Sequence, residues 1–282
     1  MTVAQISAAR TVLERDGVAA SDTKSQALLA IGYAHIHTQI AQEKCTRILE
    51  NEASDLSLAA LTIWRVYQYC KDKKNAKTFL SAAYPKILAW HRHLYEYCDP
   101  QEEGLPVVED RQDPVFLTLL SWSNESLIKI GHTLGEDVLE IIQWHELTIY
   151  SMNEKLWNEL NGYKIFKFTT KEFQQCKGLE PFLPLAAEIP TQDQAEYMLL
   201  KLERDLFTRP INLWESWLLY QGLLRYDFIE LAAKLRRFLW ESMTEFGCYE
   251  NFDALTGEPI LGKNKAQSPV AAALMIDLLK AK

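Results

Sequence analysis

Apolar residues recur at three- and four-residue steps along most of the 282-residue chain, which is the spacing of amphipathic helices. A first long run covers 24–50, with apolar positions at Leu28, Ile31, Ala34, Ile36 and Ile40. The pattern predicts further helices at about 55–71, 76–98, 115–133, 135–160, 192–206, 212–225, 227–245 and 268–281, and short ones near 3–15 and 180–188. The sequence therefore predicts an all-α protein of about eleven or twelve helices.

Residues that start, stop or crowd helices agree with this pattern. Asp99-Pro100 ends one helix, because the residue before proline disfavours the helical conformation. Thr191 and Gln194 predict a capping box at the start of another helix. Gly222 falls inside a helical run, where close packing against a neighbouring helix is the usual reason for glycine. Residues 163–169 alternate and predict a short strand or an extended loop.

Three long irregular stretches, 99–114, 161–180 and 247–267, contain aromatic residues, carboxylates and glycines. Loops of this length in a compact helical domain are usually functional or disordered, and their composition favours function. Successive antiparallel helix pairs form either an open solenoid or a closed (α/α)6 toroid. Because no fixed-period repeat is visible, the toroid is the prediction, as one domain over 1–282.

Composition restricts the class of protein and of partner. Apolar residues make up 48% and charged residues 24%, as in globular proteins, and the net charge of −8 gives no general attraction to nucleic acid. No stretch approaches the roughly 20 apolar residues that span a bilayer, and the N-terminus has no signal-peptide core. Five scattered cysteines without a CxxC pair predict reduced thiols and a cytoplasmic protein, rather than a zinc site or a disulfide framework.

Seven short segments, in order from about residue 57 to the end, resemble the catalytic domain shared by glycoside hydrolase family 63 and the trehalase group. Bacterial mannosylglycerate-hydrolase-like members are the nearest in this resemblance. It implies an (α/α)6 toroid with an active site at the end where the loops converge. The matching segments are YPKILAWHRHL at 84–94, NEKLWN at 153–158, FLPL at 182–185, GLLRY at 222–226, YENFD at 249–253, TGE at 256–258 and AAAL at 271–274.

The resemblance also implies inverting hydrolysis of a glycosidic bond. That reaction needs a carboxylic acid and a carboxylate base roughly 6.5–9.5 Å apart, and it requires no metal or cofactor. By resemblance the base is Glu250, flanked by Tyr249 and Phe252. A glutamate on a surface loop is the alternative interpretation.

The expected acid is altered in this chain. When Pro114 is aligned with the proline of the family motif, Arg111 occupies the position of the acid. Because a guanidinium cannot donate a proton at neutral pH, we expect Asp110 to act as the provisional acid. Asp110 or Asp113 could instead cap a helix or form a salt bridge with Arg111.

The remaining predicted site residues are substrate-binding ones. Trp214 and Glu215 are predicted to line the pocket, although Trp214 and Trp217 have the i, i+3 spacing of core residues. With Arg111, Asp113, Tyr249 and Phe252 they complete the predicted site. Three functions are therefore considered: hydrolysis of a small α-linked glycoside, sugar binding by a non-catalytic relative, or a helical-repeat interaction protein. The partner expected first is a small carbohydrate, and the sequence leaves the oligomeric state open.

Overall fold

The computed structural model describes residues 3–16, 22–50, 56–261 and 266–280, and helices dominate them. The all-α prediction is confirmed. The helices are α1 Val3–Asp16, α2 Thr23–Ala34, α3 Thr38–Glu50, α4 Ala59–Tyr69, α5 Lys73–Tyr97, α6 Pro114–Leu134, α7 Leu139–Ser151, α8 Gln192–Asp205, α9 Leu213–Arg225, α10 Ile229–Phe246 and α11 Pro269–Lys280. A π-helical turn covers Met152–Leu156, and 3-10 helices cover Glu180–Ala187 and Leu206–Thr208.

Short strands are confined to the loops between helices. The hairpin strand β3 Gly162–Lys167 pairs antiparallel with β1 Arg111–Gln112, β2 Trp157–Asn158 and β4 Glu172–Gln175. A second, two-stranded sheet joins β5 Ile211–Asn212 to β6 Asn251–Phe252. The strand predicted at 163–169 is thus present as β3.

Six helices form a closed inner ring. Helix α2 packs on α4, α4 on α6, α6 on the 3-10 helix Glu180–Ala187, that helix on α9, α9 on α11, and α11 returns to α2. These helices are largely buried, whereas α1, α3, α5, α7, α8 and α10 alternate with them in the sequence and form the outer layer. The toroid prediction is confirmed, and the open-solenoid hypothesis is wrong because the last inner helix closes against the first.

Glycines allow the ring to close tightly. A Cβ atom on Gly32 of α2 would lie 2.5 Å from the Ala273 Cα atom of α11. A Cβ atom on Gly222 of α9 would lie 2.6 Å from the carbonyl carbon of Leu185. The close packing predicted at Gly222 is confirmed.

All six inner helices begin at the same end of the ring, because one antiparallel outer helix separates each from the next. The loops that precede them therefore collect at this end, which we call the mouth. In the described chain the mouth includes 98–113, 157–179, 206–212, 247–261 and 266–268. Since α6 and α11 are the third and sixth of six ring helices, the loops before them face each other across the mouth.

Two predicted helix boundaries were wrong. The run 24–50 divides into α2 and α3 at 35–37, because the chain there passes from the inner to the outer layer while its apolar pattern continues. The run 135–160 ends as an α-helix at Ser151 and continues as a π-helical turn into β2. The capping box at Thr191 and the end of α5 before Asp99 are confirmed. All five cysteines are free, and no helix among the described residues is long and apolar enough to cross a membrane.

Candidate functional site

A depression of about 260 Å³ at the mouth contains Glu250. It lies between the first turns of α2, α9 and α11, so three ring helices contribute to its wall. Its lining residues are Lys24, Ser25, Leu28, Asn212, Leu213, Trp214, Glu250, Val270, Ala271 and Leu274.

Glu250 is held by two neighbouring elements. Its backbone carbonyl accepts a hydrogen bond of 2.8 Å from the Leu213 amide, which extends the β5–β6 pairing. Its carboxylate accepts one of 2.7 Å from the Ser268 hydroxyl, and Ser268 also accepts from the Ala271 amide in the first turn of α11. The carboxylate is exposed, so water can reach it as a general base requires.

Trp214 connects this depression to the ring core. Its ring stacks on Trp217 at a centroid distance of 5.6 Å, and Trp217 stacks on Trp122 of α6 at 5.6 Å. Trp217 is fully buried, whereas Trp214 is partly exposed and carries the Lys24 ammonium 4.1 Å from its centroid. Of the pair at i, i+3, Trp217 is therefore a core residue and Trp214 lines the depression.

Glu215 is half-buried in the first turn of α9 and is not among the residues that line the depression, so the prediction that it lines the pocket is wrong. A Cβ atom on Gly178 would lie 3.9 Å from the Glu215 Oε2 atom, so the carboxyl faces the loop before the 3-10 helix Glu180–Ala187. Burial raises the pKa of Glu215 and the Glu180 charge adds to this, while Lys24 and Arg209 act in the opposite direction. The carboxyl thus combines partial burial with a raised affinity for a proton.

Asp110 lies in a different setting, at an exposed turn before β1 with a positive φ of 64°. Its carboxylate accepts hydrogen bonds from the Thr169 hydroxyl and from the Thr169 amide, the latter at 2.8 Å. The Thr169 hydroxyl bond is the main cause that lowers the pKa of Asp110. A carboxyl that is more acidic than usual is poorly suited to donate a proton at neutral pH.

Arg111 and Asp113 follow in and after β1, on the α6 side of the mouth. Arg111 pairs in register with Lys167 of β3, and its guanidinium lies 3.3 Å from a carboxylate oxygen of Glu109. Asp113 is the N-cap of α6 and accepts hydrogen bonds from the amides of Val115 and Phe116. The helix-cap interpretation of Asp113 is the one that the structure bears out.

The aromatic neighbours of Glu250 lie mainly in the core. Phe252 is fully buried, and Tyr249 is half-buried and packs against the core. Neither is among the residues that line the depression, and no residue of 104–116 lines it either. Among the residues the structure describes, no group of three or more histidine, cysteine, aspartate or glutamate side chains could hold a metal ion.

Solved structures of glycoside hydrolases share this architecture. The chain superimposes on the family 63 mannosylglycerate hydrolase of Thermus thermophilus in complex with Tris with a TM-score of 0.87 and 18% identity, over 98% of this chain and 100% of that chain. The fold is that of the family 63 mannosylglycerate hydrolases. Neutral trehalase Nth1 from Saccharomyces cerevisiae superimposes with a TM-score of 0.71 and 10% identity, over 90% of this chain and 70% of that one.

Sequence comparison also finds mannosylglycerate hydrolases. Mannosylglycerate hydrolase from Rubrobacter radiotolerans is 26% identical over 60% of this chain, which spans 43% of that enzyme's length. Mannosylglycerate hydrolase from Thermus thermophilus is 23% identical over 71% of each chain. No family model matches the sequence. The resemblance to family 63 and the trehalase group is confirmed.

Proposed function

We propose that the protein is a glycoside hydrolase that cleaves a small α-linked glycoside with inversion, with Glu250 as the general base. The observation that carries this proposal is the position of Glu250. It lies on the ring mouth in a depression beside the partly exposed face of Trp214, with its carboxylate oriented by Ser268. A base in an inverting reaction must face both a water molecule and the anomeric carbon, and an accessible, fixed carboxylate meets that requirement.

The depression suits a small polar substrate. Trp214 provides an aromatic wall for sugar C–H groups, with the Lys24 ammonium over its ring, and Ser25 and Lys24 place polar groups in the lining for hydroxyls. A related structure contains glucose, and another contains Tris and D-glycerate. A mannosylglycerate-like compound is therefore the first substrate to test. Arg111 and Asp113 remain proposed substrate-binding residues on the facing side of the mouth.

A second candidate function is sugar binding without hydrolysis. It is favoured by Arg111, which the alignment on Pro114 places at the position of the family's acid. A chain that has lost its proton donor could keep the depression and the stacking face of Trp214 and still bind a sugar. The five free cysteines suit a reducing compartment for either function, as the cytoplasmic prediction requires.

Hydrolysis of a substrate panel distinguishes the two functions. We expect the unmodified protein to release reducing sugar from α-mannosylglycerate or from another small α-glycoside, and Glu250→Gln to lower kcat/KM by at least about 1,000-fold with little change in binding. Glu203→Gln, on the exposed face of outer helix α8, is the matched control and should retain full activity. Ligand-induced thermal stabilisation without turnover would favour the sugar-binding function instead.

A further inference from the structure

A groove of about 530 Å³ lies on the outside of the ring, separate from the depression at the mouth. It follows one side of the outer helix α10, and the last turns of the inner helices α9 and α11 contribute to its floor. Most of its lining is apolar, and the α10 residues in it have the spacing of one helix face. The lining residues are Tyr220, Leu224, Ile229, Ala232, Ala233, Arg236, Arg237, Trp240 and Leu279.

The groove carries positive charge from Arg236 and Arg237. No acidic residue is among the described residues that line it. Arg236 donates a hydrogen bond of 3.4 Å to the Leu279 carbonyl oxygen, while Arg237 is exposed. Although the chain has a net charge of −8, this groove therefore fits an apolar surface that carries carboxylates.

The outer face of α7 has the complementary character. Leu139, Leu147 and Tyr150 are 59%, 38% and 64% exposed. They share one stripe of the helix with the exposed side chains of Gln143 and Glu146. Helix α7 contains two glutamates and no lysine or arginine. Because large apolar side chains collected on one exposed face mark an interaction site, this acidic and apolar stripe is a candidate surface for the groove.

We propose that copies of this chain associate by placing the α7 stripe of one copy in the α10 groove of the next. The two surfaces have the same length, since Leu139 to Tyr150 and Ile229 to Trp240 are both eleven residue steps, or about 17 Å of helix. The apolar side chains of α7 meet the apolar floor beside Trp240. Glu146 supplies a carboxylate for the groove arginines, and an amphipathic helix in an apolar groove is a recurring mode of recognition.

One chain cannot make this contact with itself. Helix α7 packs on α6, and α10 packs on α9. Because α6 and α9 are the third and fifth of the six ring helices, the stripe and the groove lie on different sides of the ring. The contact is therefore heterologous, with different surfaces on the two copies, and it can continue to further copies. Both surfaces lie outside the mouth, so the inference does not rest on the proposed hydrolysis.

Two variants at exposed positions block the two surfaces separately. Ala233→Arg fills the groove with a bulky cation, and Leu147→Arg places a cation on the stripe, where it meets the groove arginines. In sedimentation equilibrium, we expect the average mass of the unmodified protein to rise above that of one chain as concentration increases. Each variant alone should keep the mass of one chain. An equal mixture of the two variants should form a complex of two chains and stop there, because one intact groove and one intact stripe remain.

Leu200→Arg is the matched control, since Leu200 is 68% exposed on the outer helix α8. This variant should associate like the unmodified protein, and denaturant unfolding checks that every variant is folded. A mass of one chain for the unmodified protein at all concentrations would overturn the proposal. Association of either blocked variant by itself would overturn it as well. So would a mixture that stays monomeric while the unmodified protein associates, because the association would then use other surfaces.

Discussion

Trp214 is the residue at which the ring core meets its mouth. One face of its indole stacks on the buried Trp217, and the side chain also lines the depression that contains Glu250. The sequence placed Trp214 and Trp217 on the same helix face but could not decide which one reaches solvent. That distinction depends on Trp122, which approaches from α6 across the ring. Spacing along a single helix carries no information about such a partner.

Trp214→Ala should weaken carbohydrate binding by roughly tenfold, or about 1.4 kcal/mol, because the depression loses an aromatic wall and the ring beneath the Lys24 ammonium. The measurement is titration calorimetry with α-mannosylglycerate on variants that also carry Glu250→Gln, so that no turnover occurs. Trp240→Ala is the matched control. Trp240 lines a separate groove on outer helix α10, and its loss should leave affinity unchanged.

Glu215 shows how neighbours in the folded structure set the proton affinity of a side chain that the local sequence does not single out. The resemblance gives Glu250 as the proposed base from one local motif, and Asp110 as the provisional acid because it is next to Arg111 in another local motif. Glu215 gains its distinctive surroundings from Gly178 and Glu180, which are more than thirty positions away along the chain. Its tendency to hold a proton therefore arises from the folded structure, and no pattern around residue 215 encodes it.

His91 gives a residue-scale prediction about pH. It is fully buried, and its Nδ1 atom lies 2.7 Å from the side-chain Oδ1 atom of Asn124. Burial lowers its pKa to about 4. The pKa of this histidine in the unfolded chain is about 6.5. As pH falls from about 6.5 to 4, the unfolded state therefore binds a proton that the folded state does not bind, and the free energy of unfolding decreases. The contribution of His91 to stability is complete above that window.

Over this window His91 should therefore cost the protein up to about 1.4 kcal/mol per pH unit. Urea unfolding at several pH values should give a weaker pH dependence for His91→Gln than for the unmodified protein. His132→Gln, at an exposed position of α6, should leave the dependence unchanged. An identical slope for His91→Gln would show that burial does not lower the pKa of His91 in the folded protein.

At the scale of elements, most helices and the strand β3 were predictable, whereas the two-residue strands were not. Helices such as α8 carry their own start signal in Thr191 and Gln194, together with one apolar face. Strands β5 and β6 have two residues each and form only because the chain returns after α10. The boundary between α2 and α3 was missed because the apolar spacing continues across it through Ile36 and Ile40. It marks a change of layer, which periodicity does not register.

The contact between α2 and α11 gives a prediction at this scale. Alanine normally stabilises a helix interior relative to glycine by about 1 kcal/mol. Gly32→Ala should instead destabilise the protein by about 1–3 kcal/mol, because the added methyl group would meet the Ala273 backbone of the closing helix. Chemical denaturation measures the change. A gain in stability would show that the first and last ring helices do not pack as closely as the structure has them.

For the whole molecule, closure of the ring is what the sequence predicted best. The order of helix pairs and the absence of a fixed repeat favoured a toroid, and the packing of α11 on α2 confirms it. The sequence did not predict the polar centre of the ring. There the buried Asp277 carboxylate of α11 bonds to Arg65 of α4, to Trp217 of α9 and to His35, which caps the end of α2. The four inner helices are thus joined at one carboxylate. The single domain over residues 1–282 stays a prediction.

Asp277→Asn should destabilise the whole ring by about 3–5 kcal/mol, because it leaves the Arg65 guanidinium without its buried counter-charge. Burial alone would raise the pKa of Asp277, but the Arg65 charge and the His35 and Trp217 bonds together lower it. Its stabilisation is therefore present above the unfolded pKa of about 3.9 and is lost as pH falls below that value.

The measurement is the free energy of unfolding in guanidinium chloride at neutral pH. Asp205→Asn, which breaks the surface pair with Arg204, is the control and should have a much smaller effect because solvent screens that pair. Equal effects of the two variants would show that the Asp277 network does not bind the ring helices together.

The most direct test of the central claim is the anomeric configuration of the first sugar released from α-mannosylglycerate, followed by proton NMR before mutarotation. A site in which Glu250 activates water on the face opposite the leaving group predicts that the β-anomer appears first. Initial release of the α-anomer would contradict hydrolysis with inversion and the role of Glu250 as general base. A protein that binds the compound without cleaving it would contradict hydrolysis altogether.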